Sequence, residues 1–101
     1  MIAIKNLVQY QDIIKNTIGL VIVKFGAMWC GPCKMMEPIL KKLSEEHPDI
    51  TFLSVDVDDN TEISTHYNIK SLPTMLFIRE GIVKYTQEGV TQKLKEIIDS
   101  V

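Results

Sequence analysis

The sequence predicts an α/β domain in which a mixed β-sheet is covered by helices on both faces. Three observations lead there. Hydrophobic spacing switches between strand and helix period in the order βαβαβα and then ββα, which calls for crossover helices and a final hairpin. The run Leu20-Val21-Ile22-Val23-Lys24-Phe25 is apolar save for Lys24, as in a central strand buried on both faces. The chain's only two cysteines, Cys30 and Cys33, stand between that strand and the next helical pattern. No repeat, linker or low-complexity segment divides the 101 residues. One domain over residues 1–101 is expected, long enough to fold without disulfide staples or metals.

Each element has its own signal. Ile2 to Ile4 is a short strand candidate. Asn6 followed by Gln9 marks a helix start, with Leu7, Tyr10 and Ile14 at helical spacing and Gly19 ending the segment. After the buried strand, a helix runs from Cys33 to about Glu46 with an inner stripe of Met36, Ile39, Leu40 and Leu43. Pro38 lies inside it and should bend it, because proline has no N–H to contribute. His47-Pro48-Asp49 breaks the helix, and Ile50 to Val57 is a second buried strand. Asp59 and Glu62 frame a short helix carrying Ile63 and Tyr67, and Asn68 suits a left-handed C-terminal residue. Met75 to Ile78 is a strand, Glu80-Gly81 a tight turn, and Val83 to Gln87 an alternating strand at a sheet edge. Thr91 is the expected cap of a last helix that carries Leu94, Ile97, Ile98 and Val101 on one face.

The stretch Trp29-Cys30-Gly31-Pro32-Cys33-Lys34 carries the chemistry. Two thiols at this spacing can close a small disulfide ring where a helix begins. So short a loop restrains the unfolded chain little, so the bond points to thiol–disulfide exchange rather than to stability. Cys30 falls near the helix N-cap, where free N–H groups and the positive end of the dipole stabilise a thiolate. The thiolate is the attacking species, which makes Cys30 the expected nucleophile. Gly31 lets a substrate backbone come close, and Pro32 suits a first helical turn that needs no N–H. Cys33, one turn along and facing inward, is placed to resolve a mixed disulfide, and Lys34 adds positive charge nearby. Three other readings compete. Zinc needs four ligands, and only His47 and His66 accompany the thiols, neither at finger spacing. A chance pair of buried cysteines is opposed by Trp29 and the Gly-Pro pair. A redox-inactive binding module that retains its cysteines is the third.

Composition narrows the partners. Hydrophobic residues make up 46% and charged ones 24%, a globular balance rather than a disordered one. Net charge is −2 with the basic residues scattered, so neither nucleic acid nor an anionic membrane is an expected partner. Apolar runs are of strand length, and Met1 to Lys5 lacks the pattern of a signal peptide. A single close cysteine pair fits a reducing compartment, so a cytoplasmic location is expected. Asp56, Asp58 and Asp59 lack the spacing of a calcium loop and read as a strand end plus helix cap.

The six-residue motif resembles the active site of the thioredoxins, and the resemblance extends over essentially the whole chain. Pro38 falls at that family's helix-kinking proline, and Ser71-Leu72-Pro73-Thr74 at the loop whose proline is cis and faces the disulfide. Gly81 and Gly89 match two glycines of the C-terminal half, and Phe25, Ala27 and Asp58 also align. The resemblance implies a thioredoxin fold, with a five-stranded mixed sheet flanked by four helices. It implies a protein-disulfide reductase that needs no cofactor beyond the Cys30–Cys33 pair, acts on disulfide-containing proteins as a monomer, and is re-reduced by a flavin- and NADPH-dependent thioredoxin reductase. A substrate-docking rim of Trp29, Gly31, Pro32, Leu72, Pro73, Gly89 and Val90 follows from it as well.

Two positions depart from the family pattern. Lys24 aligns with a buried aspartate thought to help take the proton from the second cysteine, and Ser54 aligns with the lysine beside that aspartate. A desolvated, neutral Lys24 amine could act as a base instead. The alternative is that its stem is buried and its ammonium snorkels to the surface. Gly26 replaces an aromatic residue and is expected to loosen packing near the motif. A charged Lys24 would also favour the thiolates, as in a more oxidising isomerase-like protein, although such domains carry histidine where Pro32 stands.

Overall fold

The computed structural model describes residues 1–101. Nine elements follow in chain order: β1 (Ile2–Ala3), α1 (Leu7–Asn16), β2 (Leu20–Gly26), α2 (Gly31–Glu46), β3 (Thr51–Asp56), α3 (Thr61–His66), β4 (Thr74–Arg79), β5 (Ile82–Glu88) and α4 (Leu94–Ser100). The strands form one sheet in the order β1-β3-β2-β4-β5. β3 runs parallel to both β1 and β2, whereas β4 is antiparallel to β2 and to β5. The expected five-stranded mixed sheet with four helices is the architecture found.

Period-two alternation divides the core into two layers. Val21, Val23 and Phe25 of β2 join Leu53, Val55, Leu76 and Ile78 on one face, with Tyr10 and Ile63 from α1 and α3. Leu20 and Ile22 join Phe52, Met75 and Phe77 on the other, under Met36 and Leu40 of α2 and Leu94 and Ile98 of α4. Phe77 and Leu40 have no solvent exposure, and each burial contributes about 1.5–3 kcal/mol.

Local signals explain most element ends. The Asn6 side chain accepts from the Gln9 N–H at 2.9 Å and caps α1. Asn68 (φ 54°) and Glu80 (φ 51°) are left-handed, and Gly81 (φ 78°) completes the turn into β5. Helix α2 continues through Pro38 over all of residues 31–46.

Three expectations change. Helix α3 begins after Asn60, not Asp59, because the Asp56 carboxylate takes the Asp58 and Asp59 N–H groups at 2.8 and 3.3 Å and closes a turn first. Thr91 does not cap α4: its hydroxyl accepts from the Lys93 N–H at 3.1 Å in the preceding turn. β5 lies at the sheet edge as expected but begins at Ile82 and runs through Glu88, with Ile82 to Thr86 exposed.

Candidate active site

Strand register gathers the site at one end of the sheet. Gly26 pairs with Asp56, Phe25 with Thr74, and Thr74 with Glu88. The chain therefore leaves β2, β3 and β5 and enters β4 at a common edge. The cysteine motif follows β2, Asp58 follows β3, Leu72-Pro73 precedes β4, and Gly89-Val90 follows β5. Residues far apart in sequence meet because the topology brings their strand ends together.

Cys30 and Cys33 are joined by a disulfide, with Cα atoms 5.3 Å apart. Cys30 is the N-cap of α2, and its Sγ accepts the Cys33 N–H at 3.2 Å. A cap normally supplies an oxygen for that N–H. Sulfur does so here, and a thiolate formed on reduction would accept the same bond with full charge. Pro32 lies in the first turn, where its missing N–H costs no helical bond. Both cysteines are buried, Cys33 at 1% exposure and Cys30 at 5%.

The surrounding rim is mixed. Trp29 is 71% exposed, and its indole N–H donates to the Asp58 carboxylate at 2.9 Å. Gly31, Pro32 and Lys34 are exposed, as is Val90, whereas Leu72 and Gly89 are half-buried and Pro73 is buried. The Leu72–Pro73 peptide bond is cis, as the resemblance implied. Gly89 N–H donates to the Pro73 carbonyl at 2.8 Å, Thr74 Oγ1 to the Ser71 carbonyl at 2.6 Å, and Ser71 Oγ to Glu88 at 2.7 Å. The loop of Ser71 to Thr74 and the strand end beside it are therefore held together.

Lys24 is buried on the face of β2 that meets α2, between Ser54 and Met75 on the neighbouring strands. Its ammonium lies 3.5 Å from the Glu37 carboxylate of α2. The stem is buried as the snorkelling alternative has it, but the charge ends at a carboxylate rather than in open water. A Cβ on Gly26 would lie 3.2 Å from Cys33 Sγ and 3.3 Å from Lys24 Cε. The glycine leaves a narrow gap, filled from both sides, rather than the loose packing expected. Glu37 and the exposed Met28 and Met35 also flank the site, without a motif of their own in the sequence. Spacing four residues after Cys33 was the one available signal for Glu37. No group of three metal-ligating side chains is assembled anywhere, and Asp56, Asp58 and Asp59 serve the turn and Trp29.

A two-cysteine ring capping a helix at the edge of a mixed sheet defines a dithiol–disulfide exchange protein. The model of the thioredoxin family matches residues 2–100, and the chain belongs to that family. It is 43% identical over 96 residues to a thioredoxin of Mycoplasma genitalium, covering 95% of this chain and 92% of that protein. Thioredoxin H2-1 of Oryza sativa subsp. japonica is 44% identical over 70 residues, 69% of this chain and 51% of that protein. Among solved structures, the thioredoxin of Fasciola hepatica superposes with a TM-score of 0.94 at 33% identity, over 99% of this chain and 98% of that one. The protein is a thiol–disulfide oxidoreductase, an enzyme that works through its cysteine pair without a cofactor. Disulfide-bearing proteins are its class of substrate, and the binding-module alternative is not favoured. No helix is long and apolar enough to cross a membrane.

Proposed function

We propose that residues 1–101 form one domain that reduces protein disulfides, with Cys30 as nucleophile and Cys33 as resolving thiol. The Cys30 thiolate attacks one sulfur of a substrate disulfide and forms a mixed disulfide, expelling the other sulfur as a thiolate that takes up a proton. Cys33, deprotonated in turn, attacks the Cys30 sulfur, closes the ring and releases the second substrate thiolate. Two electrons pass from the domain to the substrate, and a flavin- and NADPH-dependent thioredoxin reductase restores the dithiol. The observation that carries this division of labour is that Cys30 caps α2 with its sulfur, and is the less deeply buried of the two at 5% exposure against 1% for Cys33. Trp29, Gly31, Pro32, Leu72, Pro73, Gly89 and Val90 form the docking rim for an extended substrate segment, Lys34 adds positive charge nearby, and Lys24 tunes the thiol pair. The protein acts as a monomer in the cytoplasm, in keeping with a single close cysteine pair.

Cysteine variants test the roles separately. Cys30→Ser should abolish disulfide reduction, whereas Cys33→Ser should accumulate a covalent complex with substrate, read by non-reducing electrophoresis and mass spectrometry. Turnover by Cys33→Ser at the parent rate would show that the roles are wrongly assigned.

A further inference from the structure

Lys24 interrupts an apolar row. It shares a face of β2 with Leu20 and Ile22, under α2 and α4. A cation there is costly unless paired. Its one salt-bridge partner is Glu37, with Oε1 3.5 Å from Nζ. Glu37 stands four residues after Cys33 on α2, so the two lie one turn apart on neighbouring positions of the helix surface. The lysine stem passes the inner sulfur on its way to that carboxylate, since Lys24 Cε and Cys33 Sγ border the same small gap above Gly26. A disulfide sulfur, an aliphatic stem and an ion pair thus lie in sequence from the buried site to the surface.

We propose that Glu37 is a positioning residue of the redox pair, holding and neutralising the Lys24 ammonium so that the dithiol stays strongly reducing. This rests on the Cys30–Cys33 exchange reading above. The charge is carried at the end of a stem that borders a sulfur, which is a neutral disulfide in one redox state and a thiol or thiolate in the other. Unopposed, it stabilises only the thiolates, which favours the reduced form and makes the couple more oxidising. Glu37 counters this by placing a negative charge against the ammonium and anchoring it toward the surface, where the carboxylate is 59% exposed against 6% for the lysine. Neither side chain gains or loses an electron. The pair changes only the energy of the thiolates, and solvent limits the size of the effect.

The test equilibrates the parent, Glu37→Gln, Glu37→Lys, Lys24→Met and the Lys24→Met/Glu37→Gln double variant with glutathione buffers and reads the reduced fraction. Glu37→Gln keeps the side chain's shape and removes its charge. It should move the equilibrium toward the dithiol by about threefold at low salt, the scale of one charge acting through largely aqueous surroundings, and by less at high salt. Glu37→Lys should move it further the same way. In the Lys24→Met background the Gln substitution should have less than half its effect on the logarithm of the equilibrium constant. An unmoved equilibrium in Glu37→Gln, a reversed one in Glu37→Lys, or an equal shift with and without Lys24 overturns the proposal. A parent that does not equilibrate with glutathione would instead remove the exchange reading itself.

Discussion

Trp29 is held at the rim by a single side-chain hydrogen bond, from its indole to Asp58, and Asp58 is itself set by the turn closed on the Asp56 carboxylate. An exposed charge-assisted bond of this kind contributes little to stability, on the order of 1 kcal/mol. Its effect is to fix the orientation of a large flat ring beside Cys30. Asp58→Ala should therefore leave the cysteine chemistry intact and free the ring. We expect KM for a protein disulfide to rise about three- to tenfold, a loss of roughly 0.7–1.4 kcal/mol in binding, with kcat nearly unchanged. Trp29 is the only tryptophan, so its fluorescence anisotropy should fall in the same variant. A fall in kcat with KM unmoved would place Asp58 in the chemistry instead. The motif made the cysteine pair and the helix start at Cys30 legible in the sequence, because both depend on local spacing. Asp58 and Glu37 were not legible as partners, because each acts across elements, on Trp29 from the turn after β3 and on Lys24 from α2.

At the scale of elements, β1 shows how little local sequence a strand requires. It has two residues, both exposed, and pairs only with Leu53 and Ser54. Asn60 secures the chain beyond it: its buried amide donates to the Ile4 carbonyl at 3.3 Å and to the Asp56 carbonyl at 3.1 Å, linking the segment after β1 to the end of β3. Asp56 keeps the Asn60 backbone N–H as a second partner, so the Ile4 carbonyl loses more when the amide is removed. Asn60→Ala should lower stability by about 1–3 kcal/mol. Denaturant melts would measure the cost, and amide exchange should quicken first at Ile4, whose N–H bonds the Ser54 carbonyl. Uniform exchange across the sheet would indicate a global effect rather than a loosened edge. The sequence announced β2, β3, α1 and α2 through runs and stripes long enough to show a period. It misplaced the caps of α3 and α4 because Asp56 and Thr91 spend their acceptors on turns just ahead of the helix. The edge position expected of β5 is the one found, with every residue of the strand exposed except the half-buried Gln87.

For the whole molecule, the sheet separates the redox chemistry from a second polar feature on its opposite face. Cys33, Lys24 and Glu37 lie toward α2, whereas Tyr10 and Tyr67 close the core under α1 and α3 with their hydroxyls 2.7 Å apart. The aromatic edge contacts of Tyr67 with Tyr10 and Phe25 pack that layer, and apolar periodicity made the layer legible but not the hydroxyl pair. Burial foremost, then the hydrogen bond and charge of Tyr67, holds the Tyr10 phenol far above its ordinary value of 10.0. The folded protein therefore keeps this proton at pH values where the unfolded chain releases it. Below pH 10 both states hold the proton, and its contribution to stability is complete. Above that value the unfolded state binds fewer protons, so stability falls as pH rises, by up to about 1.4 kcal/mol per unit from this one group. Oxidised protein suits the measurement, because the closed disulfide has no thiol to titrate. Between about pH 10 and pH 11 the parent should lose about 1 kcal/mol more than Tyr10→Phe in urea unfolding, after each is referred to its own stability near pH 8. The phenylalanine variant starts lower, since Tyr67 loses its partner, yet it should descend less steeply because no buried phenol remains to ionise. Parallel descents in the two proteins would mean that Tyr10 ionises as readily folded as unfolded, and that its burial beneath α1 does not govern the alkaline limit of the fold.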